Sequence, residues 1–223
     1  MSAAIAGITI TDPDAVLSPI NIAVRPVTSE SSYLNYVFPF LIVLVLLYSG
    51  LLLPPILILS ERNSPAAYRT FLLPVRDLEF MGSVLLSCLA VLGAQAALMA
   101  GVSAVFFTNW FGFPTLIVAL AVLSTLFILI GMLIGYAFQR EFHAVLMSVL
   151  VSTVLLLLSD FIVPLDVLPR AVSLLAGLNP VVIGGDVVRL ALLFGKVGFV
   201  AALADIGALL LYAAVLAVVV VLV

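Results

Sequence analysis

The sequence is short of almost everything that faces water. Only 9% of its 223 residues are charged, against 65% apolar, whereas a soluble domain carries about 25% charged and about 45–50% apolar residues. So few charges cannot cover a globule, and lipid is the solvent for most of the chain. There is one cysteine, Cys88, and one histidine, His143. That excludes an internal disulfide and leaves no Cys/His set for a metal. Cys88 lies in an apolar run and reads as a small buried apolar residue. The net charge of −3 is too small to indicate a partner and gives no sign of nucleic-acid binding. No basic stretch followed by a long apolar run marks a signal peptide at the N-terminus. No phosphate-binding loop is present: Gly195-Lys196 is followed by Val197 and lacks a glycine five residues earlier. The chain reads as not an enzyme, with no cofactor and no catalytic or metal-binding residue.

What is there is a series of long apolar runs. Only helices and closed barrels satisfy their backbone in lipid, and these runs lack the ten-residue alternation of barrel strands. A bilayer core of about 30 Å takes about 20 helical residues. The chain is therefore predicted to be an all-α polytopic membrane protein with about five transmembrane helices, at about 34–60, 80–107, 113–138, 144–163 and 199–223. Pro54-Pro55 predicts a kink or break near the end of the first span. Residues 1–33 differ: Asp12, Asp14 and Glu30 stand among short alternations such as Ile20, Ile22 and Val24. They form a β-prone N-terminal tail, and residues 34–223 form the transmembrane domain.

Lysine and arginine orient the spans. Arg62, Arg69, Arg76 and Arg140 fall on one side, Arg25, Arg170, Arg189 and Lys196 on the other. The first four sit in much the shorter stretch of chain, which places 61–79 and 139–143 in the cytoplasm. The N-terminus is then outside and the C-terminus inside.

The segment 61–79 is the more informative loop. Ser64 is a good N-cap and Pro65 suits the first helical position. Tyr68, Phe71 and Leu72 share one face at helical spacing, while Arg62, Arg69 and Arg76 hold the segment at the headgroups. Pro74 stops the helix. The expectation is a short amphipathic helix along the cytoplasmic interface. An interfacial loop helix with no partner is the alternative.

Glu61-Arg62, then Phe71-Leu72-Leu73-Pro74-Val75-Arg76, then Gly82 resembles the stretch after the second membrane helix in permease subunits of type-2 ATP-binding-cassette exporters. It departs from that pattern at Asn63, Pro65-Ala66, Leu73 and Ser83. A second match lies before the last helix: Pro164-Leu165-Asp166-Val167-Leu168-Pro169, Leu178-Asn179-Pro180, then Asp186 and Arg189. Together the matches extend the resemblance from about Asn21 to Val223. Such permeases have six spans, with an outer domain after the first in one large branch. The resemblance implies that the first span and most of that domain are missing here and that residues 1–33 are its remnant.

The resemblance implies a role in transport. Residues 61–79, with Glu61, Arg62, Tyr68, Phe71, Leu72 and Pro74, would couple to a separate nucleotide-binding ATPase subunit. The segment 165–193, with Pro164, Pro169, Asn179, Pro180, Asp186 and Arg189, would form an outer re-entrant pair of helices. Val181 to Phe194 suits a half-span and is too short to cross. Two permease subunits, identical or different, would meet in the plasma membrane to export a substrate. The alternatives are a truncated, inactive permease or a non-transport scaffold, and a secondary transporter, which predicts paired deep charges and internal repeats.

Other residues invite weaker readings. Asp160 and Asp205 lie near span ends, where charge is cheap. An aspartyl protease would need a Gly-x-Gly-Asp setting, and Ile183-Gly184-Gly185-Asp186 lacks its first glycine. Gly93, Ala97 and Gly101 on the second span, with Gln95 nearby, and Gly131 and Gly135 on the third have the spacing of close helix contacts within the bundle. His143 reads as a solvated boundary residue.

Overall fold

The structure is a computed structural model that describes residues 33–63, 77–106, 112–159 and 176–222. Five long helices make up this part: α1 (Tyr33–Arg62), α2 (Asp77–Phe106), α3 (Phe113–Ala137), α4 (Glu141–Leu157) and α5 (Pro180–Leu222). The tail 1–32 and the segment 64–76 lie outside the described residues. So do the β-prone reading of the first and the amphipathic-helix reading of the second.

The helices form where β propensity would argue against them. Val218, Val219, Val220 and Val221 lie within α5, although such a run favours a strand in water. In lipid each backbone N–H and C=O must pair within its own segment, and that requirement outweighs a preference of a few tenths of a kcal/mol per residue. Four helices contain stretches long and apolar enough to cross a membrane: Val37–Arg62, Glu79–Val105, Phe113–Ala137 and Ala202–Leu222. The fifth, α4, is apolar but has 17 residues. At 1.5 Å per residue it is about 25 Å long, somewhat under the bilayer core.

α3 is the hub of the bundle. It packs against each of the other four helices, most extensively against α1 and α5. Phe127, Leu116, Leu120, Leu123 and Leu126 of α3 are fully buried with Leu46, Leu47 and Leu51 of α1 and Leu92 of α2. The outer surfaces are apolar too: Leu86, Leu98 and Val105 of α2 and Leu211 and Leu222 of α5 are largely exposed, as lipid-facing side chains would be.

Of the kink or break expected at Pro54-Pro55, the break does not occur. α1 continues through both prolines to Arg62. A proline has no N–H, so Pro54 and Pro55 leave the carbonyls four residues earlier, those of Gly50 and Leu51, without their helical donors. Gly131 lies against both: a Cβ built there would sit 2.7 Å from the oxygen of Gly50 and 3.0 Å from that of Leu51. Gly135 stands in the same way over Pro55 and Ile58. The prolines are tolerated because two glycines on α3 let the backbones close on them. Four residues along α3 correspond to about four along α1, so the two helices run parallel.

Two further boundaries differ from expectation. α4 ends at Leu157, not near Val163, with Leu158 and Ser159 already outside the helix. α5 begins at Pro180, not near Phe199, and runs 43 residues without interruption. Gly195, Lys196 and Gly198 lie inside this helix. A glycine only weakens a helix, by about 1 kcal/mol, whereas proline removes a donor, and none follows Pro180. The 43 residues of α5 are about twice what one crossing takes. Its first part, Pro180–Leu193, is additional to the span Ala202–Leu222.

That first part lies antiparallel to the start of α3. Gly184 faces Leu123, and Gly112, just before α3, lies against the backbone of Ala191 so closely that any Cβ would collide with it. Seven residues forward on α5 thus move eleven back along α3. Pro180 stands within the length of α3, and Ala191 stands at its N-terminal end.

Candidate functional site

The residues singled out by the sequence fall into two groups, and the described structure keeps them apart. Glu61 and Arg62 occupy the C-terminal end of α1, both exposed, with Arg62 in the last turn. A cation there complements the negative end of the helix dipole. Ser60 turns its hydroxyl back to the carbonyl of Leu57 at 3.0 Å, and Asn63 closes the helix with its N–H on the carbonyl of Leu59. The two charged groups project from the end of a helix whose inner face is locked to α3. Tyr68, Phe71, Leu72 and Pro74, the other expected coupling residues, lie outside the described residues.

The second group centres on Asn179, which is 5% exposed. Its Oδ1 accepts the N–H of Val181 at 3.0 Å, and its backbone carbonyl accepts those of Val182 and Ile183. It is therefore the N-cap of α5, with Pro180 at the first helical position, where a missing N–H costs nothing. Its Nδ2 donates to the carbonyl of Leu155 at 2.6 Å and, more weakly, to that of Leu158 at 3.3 Å. These carbonyls belong to the end of α4, where the last four have no helical donor. Ser159 serves another, with its hydroxyl 2.5 Å and its N–H 3.1 Å from the carbonyl of Leu156.

Farther along α5, Asp186 and Arg189 form an i,i+3 ion pair at 3.9 Å. The carboxylate side chain is half exposed and the guanidinium more enclosed. Pro164, Pro169 and Asp160 lie outside the described residues, and Asp205 is half-buried in the last span. Among the described residues no group of three or more His, Cys, Asp or Glu is placed to hold a metal ion.

Between the two groups lies a polar seam joining α1 to α4. Tyr48 and Thr153 share a hydrogen bond at 3.1 Å. The face of α4 that is buried carries Ala144, Ser148, Ser152 and Leu156, three small residues and a leucine at four-residue spacing. Ser152 and Thr153 return their hydroxyls to the carbonyls of Ser148 and Val149. The hydroxyl of Ser148 is buried with no hydrogen-bond partner. Because Tyr48 is level with Thr153, and Thr153 lies two residues before Leu155, Asn179 stands about 20 Å along α1 from Glu61.

The small-residue readings divide. Gly131 and Gly135 make the close contact expected of them, whereas Gly93 and Gly101 have open space where a side chain would stand. Among the described residues, then, no helix packs on those two glycines of α2. Val84, Cys88 and Leu92 form the buried side of that helix, and the glycines fall on its other side. His143 is exposed and meets Phe142 edge-to-face at 5.9 Å, in keeping with a boundary position. What the sequence reading missed is the purpose of Pro54-Pro55 and the second role of Asn179. The available signals were a glycine four residues before Pro54 and the Asn-Pro pair itself.

The model of one protein family, described as ABC-2 family transporter protein, matches residues 2–222. No curated protein and no solved structure matches the chain.

Proposed function

This chain belongs to the ABC-2 transporter family, and on that premise we propose that it is the membrane-spanning permease subunit of an exporter driven by ATP hydrolysis in a separate nucleotide-binding subunit. The observation that carries the reading is the match over nearly the whole chain, joined to helices long and apolar enough to cross a membrane. Family membership and those helices make the chain a multi-pass membrane protein with a permease role.

The ATPase binds at the end of α1 that carries Glu61 and Arg62, through the following segment with Tyr68, Phe71, Leu72 and Pro74. That end faces the cytoplasm of a cell whose plasma membrane holds the protein, with the N-terminus outside and the C-terminus inside. In support, Glu61 and Arg62 are exposed at a helix end. A push there moves a stiff body, because Pro54 and Pro55 are locked on Gly131 and Gly135. α3 in turn bears on the first part of α5 at Gly184 and Gly112. That part, with Pro164, Pro169, Asn179, Pro180, Asp186 and Arg189, belongs to an outer re-entrant segment. Its support is the antiparallel register that starts α5 within the length of α3. Two such permeases pair around the pathway.

Replacing Glu61 and Arg62 together with alanine tests the coupling. The expected result is a folded chain that no longer retains the ATPase; retention at the wild-type level overturns this assignment.

A further inference from the structure

We infer that Asn179 is a positioning residue that fastens the end of α4 to the start of α5, so that the two move as one body. One carboxamide serves two helix ends. Its oxygen caps α5 through Val181 N–H, and its NH2 group caps α4 through the carbonyls of Leu155 and Leu158. The orientation of the amide is fixed by this network. Flipped, it would set its oxygen against two carbonyls and its NH2 group against an N–H.

Among the described residues the two ends have few other ties. α4 has no extensive packing with α5 among the described residues; it packs on α1 and, less, on α3. Its face toward the bundle is Ala144, Ser148, Ser152 and Leu156, which offers close approach but little interlocking of large side chains. Leu155 and Asn179 are 24 residues apart in sequence, and the amide joins them inside a low-dielectric layer. A carbonyl left without a donor there is costly, so the bonds to Leu155 and Leu158 persist as the helices move.

Only asparagine does both tasks. Aspartate caps a helix N-terminus as well, but would turn a second acceptor toward Leu155 and Leu158. Serine also caps and has a single, shorter donor. Alanine does neither. The substitutions therefore separate the fastening from the ordinary N-cap. The inference deepens the permease reading by naming a moving unit, yet its test uses no ATPase.

Leu157 and Leu178 are 51% and 61% exposed and flank the junction. In a C88A background of the full chain in lipid nanodiscs, spin labels at L157C and L178C report the distance across it. The expected result is one narrow distance in the parent protein, lost to a broad distribution in N179D and N179A, with helix content in N179D unchanged. Should N179D fail to fold, N179S reads the same distance with the N-cap kept and no charge added. A narrow, unshifted distance in folded N179D or N179S overturns the inference. Loss of the narrow distance upholds it whether or not the parent chain retains an ATPase when purified from its native membrane, and failure to retain one removes the permease reading alone.

Discussion

Gly131 of α3 lies against the carbonyl oxygen of Gly50 on α1, which Pro54 has deprived of its helical donor. A Cβ at 131 would stand 2.7 Å from that oxygen and 2.9 Å from the ring of Pro54. Neither can yield cheaply, since one is backbone and the other a closed ring. G131A is therefore expected to destabilise the bundle by about 1–3 kcal/mol, and G131L to do more. Unfolding of the purified protein in mixed detergent micelles measures it, and a neutral G131A would contradict the packing.

The glycines of α2 provide the contrast. Gly93 and Gly101 have open space at the same position. G93A and G101A are expected within about 0.5 kcal/mol of the parent in the same unfolding measurement. A loss as large as that of G131A would show that a neighbour covers this face.

The buried hydroxyl of Ser148 has no partner and sits fully enclosed on the buried side of α4. Removing an unsatisfied buried polar group is neutral or favourable. S148A is expected to unfold at the same or a higher detergent concentration than the parent. S152A removes a hydroxyl that is bonded to the Ser148 carbonyl, and serves as the matched control.

Tyr48 and Thr153 share a side-chain hydrogen bond that joins α1 to α4. Such bonds between membrane helices are worth about 0.6 kcal/mol on average. Y48F and T153V, measured alone and together, should show a coupling of about that size. Additive effects would mean that the bond does not form in the bilayer.

Much of the fold was legible in the sequence because lipid imposes a simple rule. A long apolar run must be a helix, and the runs near α1, α2 and α3 gave boundaries within a few residues. The failures came where a local signal was settled by a distant partner. Pro54-Pro55 reads as a break until Gly131 and Gly135 are known to sit beside it. The end of α4 depends on Ser159 and on Asn179, 21 residues beyond Leu158. Gly93 and Gly101 have the same spacing pattern as a packed pair and face outward. For the candidate site, the resemblance singled out Asn179-Pro180 and the half-span was expected from Val181, but the tie of Asn179 to Leu155 was not legible. The charged pair Glu61-Arg62 was found where a helix end exposes it. Its role rests on chemistry that a second subunit would supply.

The most direct test is purification of the chain from its native membrane in mild detergent, followed by identification of co-eluting proteins and assay of ATP hydrolysis. The prediction is a stoichiometric complex with a subunit that carries a phosphate-binding loop and hydrolyses ATP, lost when Glu61 and Arg62 are both replaced by alanine. A chain that elutes folded and alone, with no ATP-hydrolysing partner across mild detergents, would contradict it.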